Sequence, residues 1–210
     1  MLKFRITAHF DRGYIADPYW PEREKLINIQ KTSGMNRAKS PANRRKALEE
    51  YLTGATLTLA DYEQLEKLAS RPFYTNGSGA IIIPEIHVVS FMVATCDQAR
   101  AATRPCDPGQ VRSRFIMSHW DTGKDGDDGV WTRFAVISAG TGQKLSNQRG
   151  LRENKFISNF DGTGTITFDP EFVDPETLRR ALEWGGAFVG IGASRKMGWG
   201  RFTVTGFEAS

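Results

Sequence analysis

The chain has 210 residues, of which 40% are hydrophobic and 25% charged, with a net charge of +4. This is ordinary for a soluble globular protein and enough for one core-bearing domain with a sizeable insertion. No apolar run reaches the roughly 18 to 20 residues of a membrane span: the longest stretch is broken by Pro84, Glu85 and His87.

The first residues, Met-Leu-Lys-Phe-Arg, alternate at once instead of opening a secretory signal. The expectations are a cytoplasmic chain and no membrane partner. Cys96 and Cys106 form no CxxC pattern and read as two free thiols in a reducing compartment. The modest positive charge favours a polyanionic partner.

Residues 4–10 form a strand by strict alternation. Phe4, Ile6, Ala8 and Phe10 share one face, and Lys3, Arg5, Thr7 and His9 the other. Residues 17–72 read as an exposed insertion or finger. It opens on Asp-Pro-Tyr-Trp-Pro, where the prolines discourage regular structure. Between Lys31 and Lys46 it carries six cations and no acid: Lys31, Arg37, Lys39, Arg44, Arg45 and Lys46. Like charge at this density calls for something negative against it. Helices are expected at about residues 41–52 and 58–70. The second has Leu59, Tyr62, Leu65 and Leu68 on one stripe and a cap at Asp61 and Gln64.

A turn at residues 73–79 leads into a buried strand at 80–83. Pro84 then starts a helix to about residue 102, with Val88, Phe91, Met92, Cys96 and Ala99 facing a sheet. Residues 111–119 and 130–138 read as two paired strands around a polar loop. Residues 140–154 read as polar and glycine-bearing, and 164–168 as a strand. Asp174-Pro175-Glu176 starts a helix that Gly185 and Gly186 end. Residues 187–193 and 201–207 then read as two strands joined by a glycine-studded turn. The order predicts an α+β fold, a split β-α-β-β-α-β antiparallel sheet with both helices on one face.

The C-terminal segment 184–202 holds six glycines, with Arg195, Lys196 and Arg201 among them. Glycine allows positive φ and close approach of another chain, successive backbone N–H groups in such loops face anions, and arginine holds phosphate at two points. A P-loop would end in Gly-Lys-Ser/Thr after a strand, and the dinucleotide fingerprint would run from strand to helix. Neither pattern is present. A phosphodiester backbone suits the loop best.

Gly190, Gly192, Arg195, Lys196, Gly198, Gly200, Arg201 and Phe202 together resemble the glycine-rich loop of the RAMP superfamily, the ferredoxin-like RNA-binding subunits of CRISPR effector complexes. The run Ala80–Ile83 into Pro84 and a helix is similar to a step in backbone-type members, although Glu85, His87 and Ser90 stand where a glycine and an arginine are usual.

The resemblance implies one RAMP-like domain over residues 1–210 that binds single-stranded guide RNA. The partners it implies are other effector subunits, copies of itself among them. A backbone (seven-type) subunit is the first reading and a five-type cap subunit the second. RNA contacts are expected at Lys31, Arg37, Lys39, Arg44, Arg45, Gly190, Gly192, Arg195, Lys196, Gly198, Gly200 and Arg201. Bases are expected to stack on Trp199, with Tyr19 and Trp20 as further candidates. No cofactor is expected.

Two alternatives stay open. Processing endoribonucleases of the superfamily use a histidine, and His9 is the best placed of His9, His87 and His119. A viral mimic would bind host subunits without RNA. The aspartates Asp121, Asp125, Asp127 and Asp128 are clustered, and the spacing of Asp121, Gly123, Asp125 and Gly126 faintly resembles a calcium loop, but Thr132 stands where the twelfth-position Glu belongs, so a polar turn is the reading and no metal is assigned.

Overall fold

The computed structural model describes residues 1–16, 21–100, 103–126, 129–141 and 144–210. For residues 36, 133–141 and 144–153 it describes the backbone alone. The chain divides into two compact units, one of Met1–Asp17 with Pro72–Ser210 and one of Pro18–Arg71.

The larger unit is built on β1 (Leu2–Phe10), whose alternation is realised directly. Ile6, Ala8 and Phe10 are fully buried, while Arg5, Thr7 and His9 lie on the open face. On one side β1 pairs antiparallel with β8 (Phe160–Phe168), in continuous register from Leu2↔Phe168 to Phe10↔Phe160. On the other it pairs with β9 (Thr203–Ala209). The far edge of β8 is shared. β4 (Phe115–Met117) takes the end near Phe168, and β5 (Trp120–Asp125) meets it at Asp121↔Thr163. A short hairpin of β2 (Tyr74–Thr75) and β3 (Ala80–Ile83) extends the sheet from β5. The described pairings are all antiparallel, with order β2-β3-β5-β8-β1-β9 and β4 beside β8.

Two helices cover the buried face, α4 (Glu85–Gln98) and α6 (Pro175–Phe188). Asp174 caps α6 by accepting a hydrogen bond from the Thr177 N–H at 2.9 Å. Val88, Phe91, Met92 and Cys96 of α4 join Leu178 and Leu182 of α6 and the strand residues in one core. β6 (Val130–Thr141) and β7 (Lys144–Ile157) form a separate two-stranded hairpin. Its base is tied to the segment after β1 by a bridge between Tyr14 and Ile157.

Gly185 and Gly186 do not end α6, which runs on to Phe188. Their missing side chains serve packing instead. A Cβ on Gly185 would strike Phe91 and Thr95, and one on Gly186 would lie 2.6 Å from the Phe202 carbonyl oxygen. Alanine in a helix gains about 1 kcal/mol over glycine, but overpacking costs about 1 to 3 kcal/mol. The backbone carbonyl cannot rotate away, so Gly186→Ala should lower stability by up to about 2 kcal/mol in urea unfolding.

Other expectations are also corrected. Residues 187–193 are not a strand; they are the end of α6 and an irregular loop. Residues 111–119 begin as a helical turn, α5 (Val111–Arg114), and only β4 is strand. It pairs with β8, while β6 pairs with β7. The polar stretch after Trp120 is strand, because Trp120 and Thr122 alternate inward and the Thr122 hydroxyl donates to the Ile81 carbonyl at 2.6 Å. Within residues 140–154, read from the sequence only as polar and glycine-bearing, residues 144–154 are strand backbone in β7.

The smaller unit contains α1 (Pro21–Thr32), α2 (Pro41–Gly54) and α3 (Leu59–Ala69). Helix α1 is absent from the sequence reading, although Pro21 opens it and Glu22 and Glu24 occupy its first turn, as helix starts favour. The cap of α3 is a Thr58–Asp61 box, three residues earlier than expected. Ile29, Leu48, Leu52 and Tyr62 form the unit's own small core.

Candidate nucleic-acid interface

The glycine-rich loop runs from the end of α6 to β9. Gly190, Gly192, Ser194, Gly198 and Gly200 all take positive φ. Its path is fixed by backbone hydrogen bonds to the segment after β1: Ala193 N donates to Ile15 O and Gly200 N to Gly13 O, both at 2.8 Å. Within the loop Ile191 N donates to Gly200 O at 2.8 Å. The Gly192 Cα faces the Tyr14 ring and the Ile15 carbonyl, and a Cβ there would lie 2.5 Å from the ring. Much of the glycine content therefore serves the chain's own close packing. This is a reason the sequence pattern alone could not separate from close approach by RNA.

Tyr14 anchors the cradle. It is fully buried, and its hydroxyl lies 2.7 Å from His87 Nδ1 on α4. Burial pushes the Tyr14 hydroxyl well above its ordinary pKa, so it stays protonated. His87 is thus part of the scaffold that joins α4 to the loop.

The loop presents its cations on a short turn, Arg195–Met197, flanked by Ser194 and Gly198 in left-handed conformation. Lys196 and Arg201 are exposed and Arg195 half-buried. Arg12, which the sequence reading missed, joins them: a Cβ on Gly198 would lie 3.0 Å from Arg12 Nη1 and 3.9 Å from Arg201 Cζ. Its only sequence signal is its place at the end of β1, which gains meaning once β1 and β9 are known to be neighbours. Among the described residues, none of Arg12, Arg195, Lys196 and Arg201 has an ion-pair partner. Residues 186–202 contain no acid. Trp199 is half-buried, with its ring edge-on to Phe156 at 4.7 Å.

The cations expected from residues 31–46 lie on the smaller unit. Lys31 ends α1, Arg37 sits in a short turn (Met35–Arg37), Lys39 follows it, and Arg44, Arg45 and Lys46 lie on α2. All six are exposed. Three are already engaged: Arg45 pairs with Glu49 at 2.8 Å, Lys46 with Glu50 at 3.8 Å, and Arg44 Nε donates to Ala38 O at 3.1 Å. Tyr19, Trp20, Asp127 and Asp128 lie outside the described residues. Asp121 and Asp125 are in β5, and no group of three or more potential ligands suits a metal among the described residues.

His9 sits between two carboxylates, with Nδ1 2.8 Å from Asp161 and Nε2 3.1 Å from Asp11. The hydrogen bond to Asp161 is the main reason its pKa is raised above the ordinary 6.5. The stabilisation it contributes is full below about pH 6.5 and fades as pH rises through the raised value. The melting-temperature gap between wild type and His9→Gln should therefore be larger at pH 5.5 than at pH 8.5. The pair is partly exposed, so the effect stays within about 1 kcal/mol. His119 lies 3.5 Å from Asp121 and is exposed.

This is a mixed α/β chain on an antiparallel sheet, with a cation-bearing glycine loop hydrogen-bonded to the segment that follows β1. The same fold occurs in a CRISPR effector: the chain aligns over 99% of its length with a chain from the type III-B Cmr-beta complex, solved bound to cognate target RNA, at TM-score 0.54 and 8% identity. It spans 60% of that chain. A second structure, Cmr6 from Pyrococcus furiosus, aligns over 98% of this chain and 96% of its own, at 9% identity; its TM-score of 0.31 is too low to carry a shared fold. No family model and no curated protein matches the sequence. Among the described residues, no helix is long and apolar enough to cross a membrane.

Proposed function

We propose that this chain is an RNA-binding subunit of a CRISPR-type ribonucleoprotein, a ferredoxin-like domain of the RAMP kind carrying residues 17–72 as an insertion. The order β9-β1-β8-β4, with α4 and α6 on one face, supports the ferredoxin-like description. The observation that carries the function is the loop's charge. Arg12, Arg195, Lys196 and Arg201 are held together without a carboxylate partner among the described residues. Like charges gathered this way repel, and an adjacent phosphate backbone offsets the cost. Guide RNA then lies along the loop, contacted through phosphates and shape, with Lys31, Arg37 and Lys39 as further contacts. Assembly with other effector subunits, copies of this chain included, and a cytoplasmic location follow from the same reading.

The nuclease reading finds less support. Both ring nitrogens of His9 already face carboxylates, Asp161 and Asp11, whereas general acid–base catalysis needs one of them within reach of a substrate proton.

The test is the absorbance ratio at 260 and 280 nm of the purified chain, together with its size-exclusion profile. A nucleic-acid-like ratio in a large species that collapses after ribonuclease treatment is the expected result. A protein-like ratio, with no binding of added single-stranded RNA, would reject the proposal and favour a protein-interaction module.

A further inference from the structure

Beside the loop lies an open cavity of about 620 Å³ between α4 and the turn that precedes α5. This volume falls within the range that holds a small ligand. Its apolar wall is Val89, Val93 and Ala94 of α4 with Pro108 opposite, and Arg112 and Arg195 stand at its margin. Asp97, at the C-terminal end of α4, completes the lining. Neither arginine and not Asp97 has an ion-pair partner among the described residues.

A carboxylate beside a phosphate-binding loop is a contradiction if phosphates alone are bound, since the two repel. It is explained if the cavity takes a base. A splayed base stacks on apolar walls and on arginine planes, and a carboxylate accepts hydrogen bonds from its edge. A carboxylate offers acceptors only. Guanine alone among the four bases presents two adjacent donors, N1–H and N2–H, that match two carboxylate oxygens at once. Arg195 belongs both to the loop and to the cavity, so the pocket continues the proposed phosphate track.

We infer that this cavity receives one unstacked guanine of the bound RNA, read by Asp97 and flanked by Arg112 and Arg195. The inference rests on the RNA-binding reading above. It goes beyond that reading by giving the interface a base preference.

The test uses the chain and labelled oligouridylates of about ten nucleotides, a length within the range that single-strand-binding OB folds cover. Each carries one central guanine, adenine, cytosine or abasic site, and binding is followed by fluorescence anisotropy. The guanine oligonucleotide should bind about tenfold or more tightly than the adenine or abasic one. Asp97→Asn, an exposed change, should reduce that preference below about threefold while the adenine oligonucleotide binds at least as well as before. Circular dichroism verifies the fold. Equal affinity for guanine, adenine and abasic oligonucleotides would overturn the pocket and leave the RNA-binding reading standing. A guanine preference that survives Asp97→Asn would overturn the role given to Asp97. No binding of any oligonucleotide would overturn the RNA-binding reading itself, and this inference with it.

Discussion

Replacing Gly200 with alanine is expected to lower the unfolding free energy by about 2 to 5 kcal/mol. Gly200 has φ +70°, and a Cβ there would overlap the carbonyl oxygen of Ile191, whose own N–H donates to the Gly200 carbonyl at 2.8 Å. Left-handed strain contributes about 1 to 2 kcal/mol. Displacing a backbone carbonyl in a packed turn adds about 1 to 3 kcal/mol. For a chain of this size the melting temperature should fall by roughly 4 to 20 °C. Gly34→Ala is the matched comparison. It shares the left-handed conformation, at φ +74°, but faces open space, so it should cost only about 1 to 2 kcal/mol. Equal, small losses at both positions would show that the loop does not close on itself as described.

The second large effect is on RNA affinity. The combined variant Arg12→Gln, Arg195→Gln, Lys196→Gln and Arg201→Gln should weaken single-stranded RNA binding by roughly two to three orders of magnitude at moderate salt. The plot of log affinity against log salt should flatten by about 0.7 for each lost contact, or about 2.8 for all four. Neutralising Arg45 and Lys46 instead removes cations already paired with Glu49 and Glu50. That variant should flatten the slope by clearly less per residue. If the two variants behave alike, net charge and not the loop governs binding.

The elements legible in the sequence were those whose local signal and tertiary role coincide. β1 was readable because its alternation matches one buried face. The start of α6 was readable because Asp174 and Pro175 act within one turn. Helix–helix contact reversed the meaning of Gly185 and Gly186: the residues that usually stop a helix here let α6 approach α4 and Phe202. The Asp-rich stretch hid β5, because a strand half-buried through Trp120 and Thr122 leaves its other positions free to be acidic. In the candidate site, Arg195, Lys196 and Arg201 were visible because they are contiguous with the glycines. Arg12 and Asp97 were not, since chain topology alone brings them to the loop and its cavity.

The central claim is that RNA lies on the glycine loop, and photo-crosslinking of 4-thiouridine-labelled single-stranded RNA to the full-length chain tests it most directly. Crosslinked peptides should fall in residues 12–16 and 190–201. Crosslinks confined to the open sheet face, at residues such as Arg5, Ile116 and Thr163, with none in the loop, would contradict it.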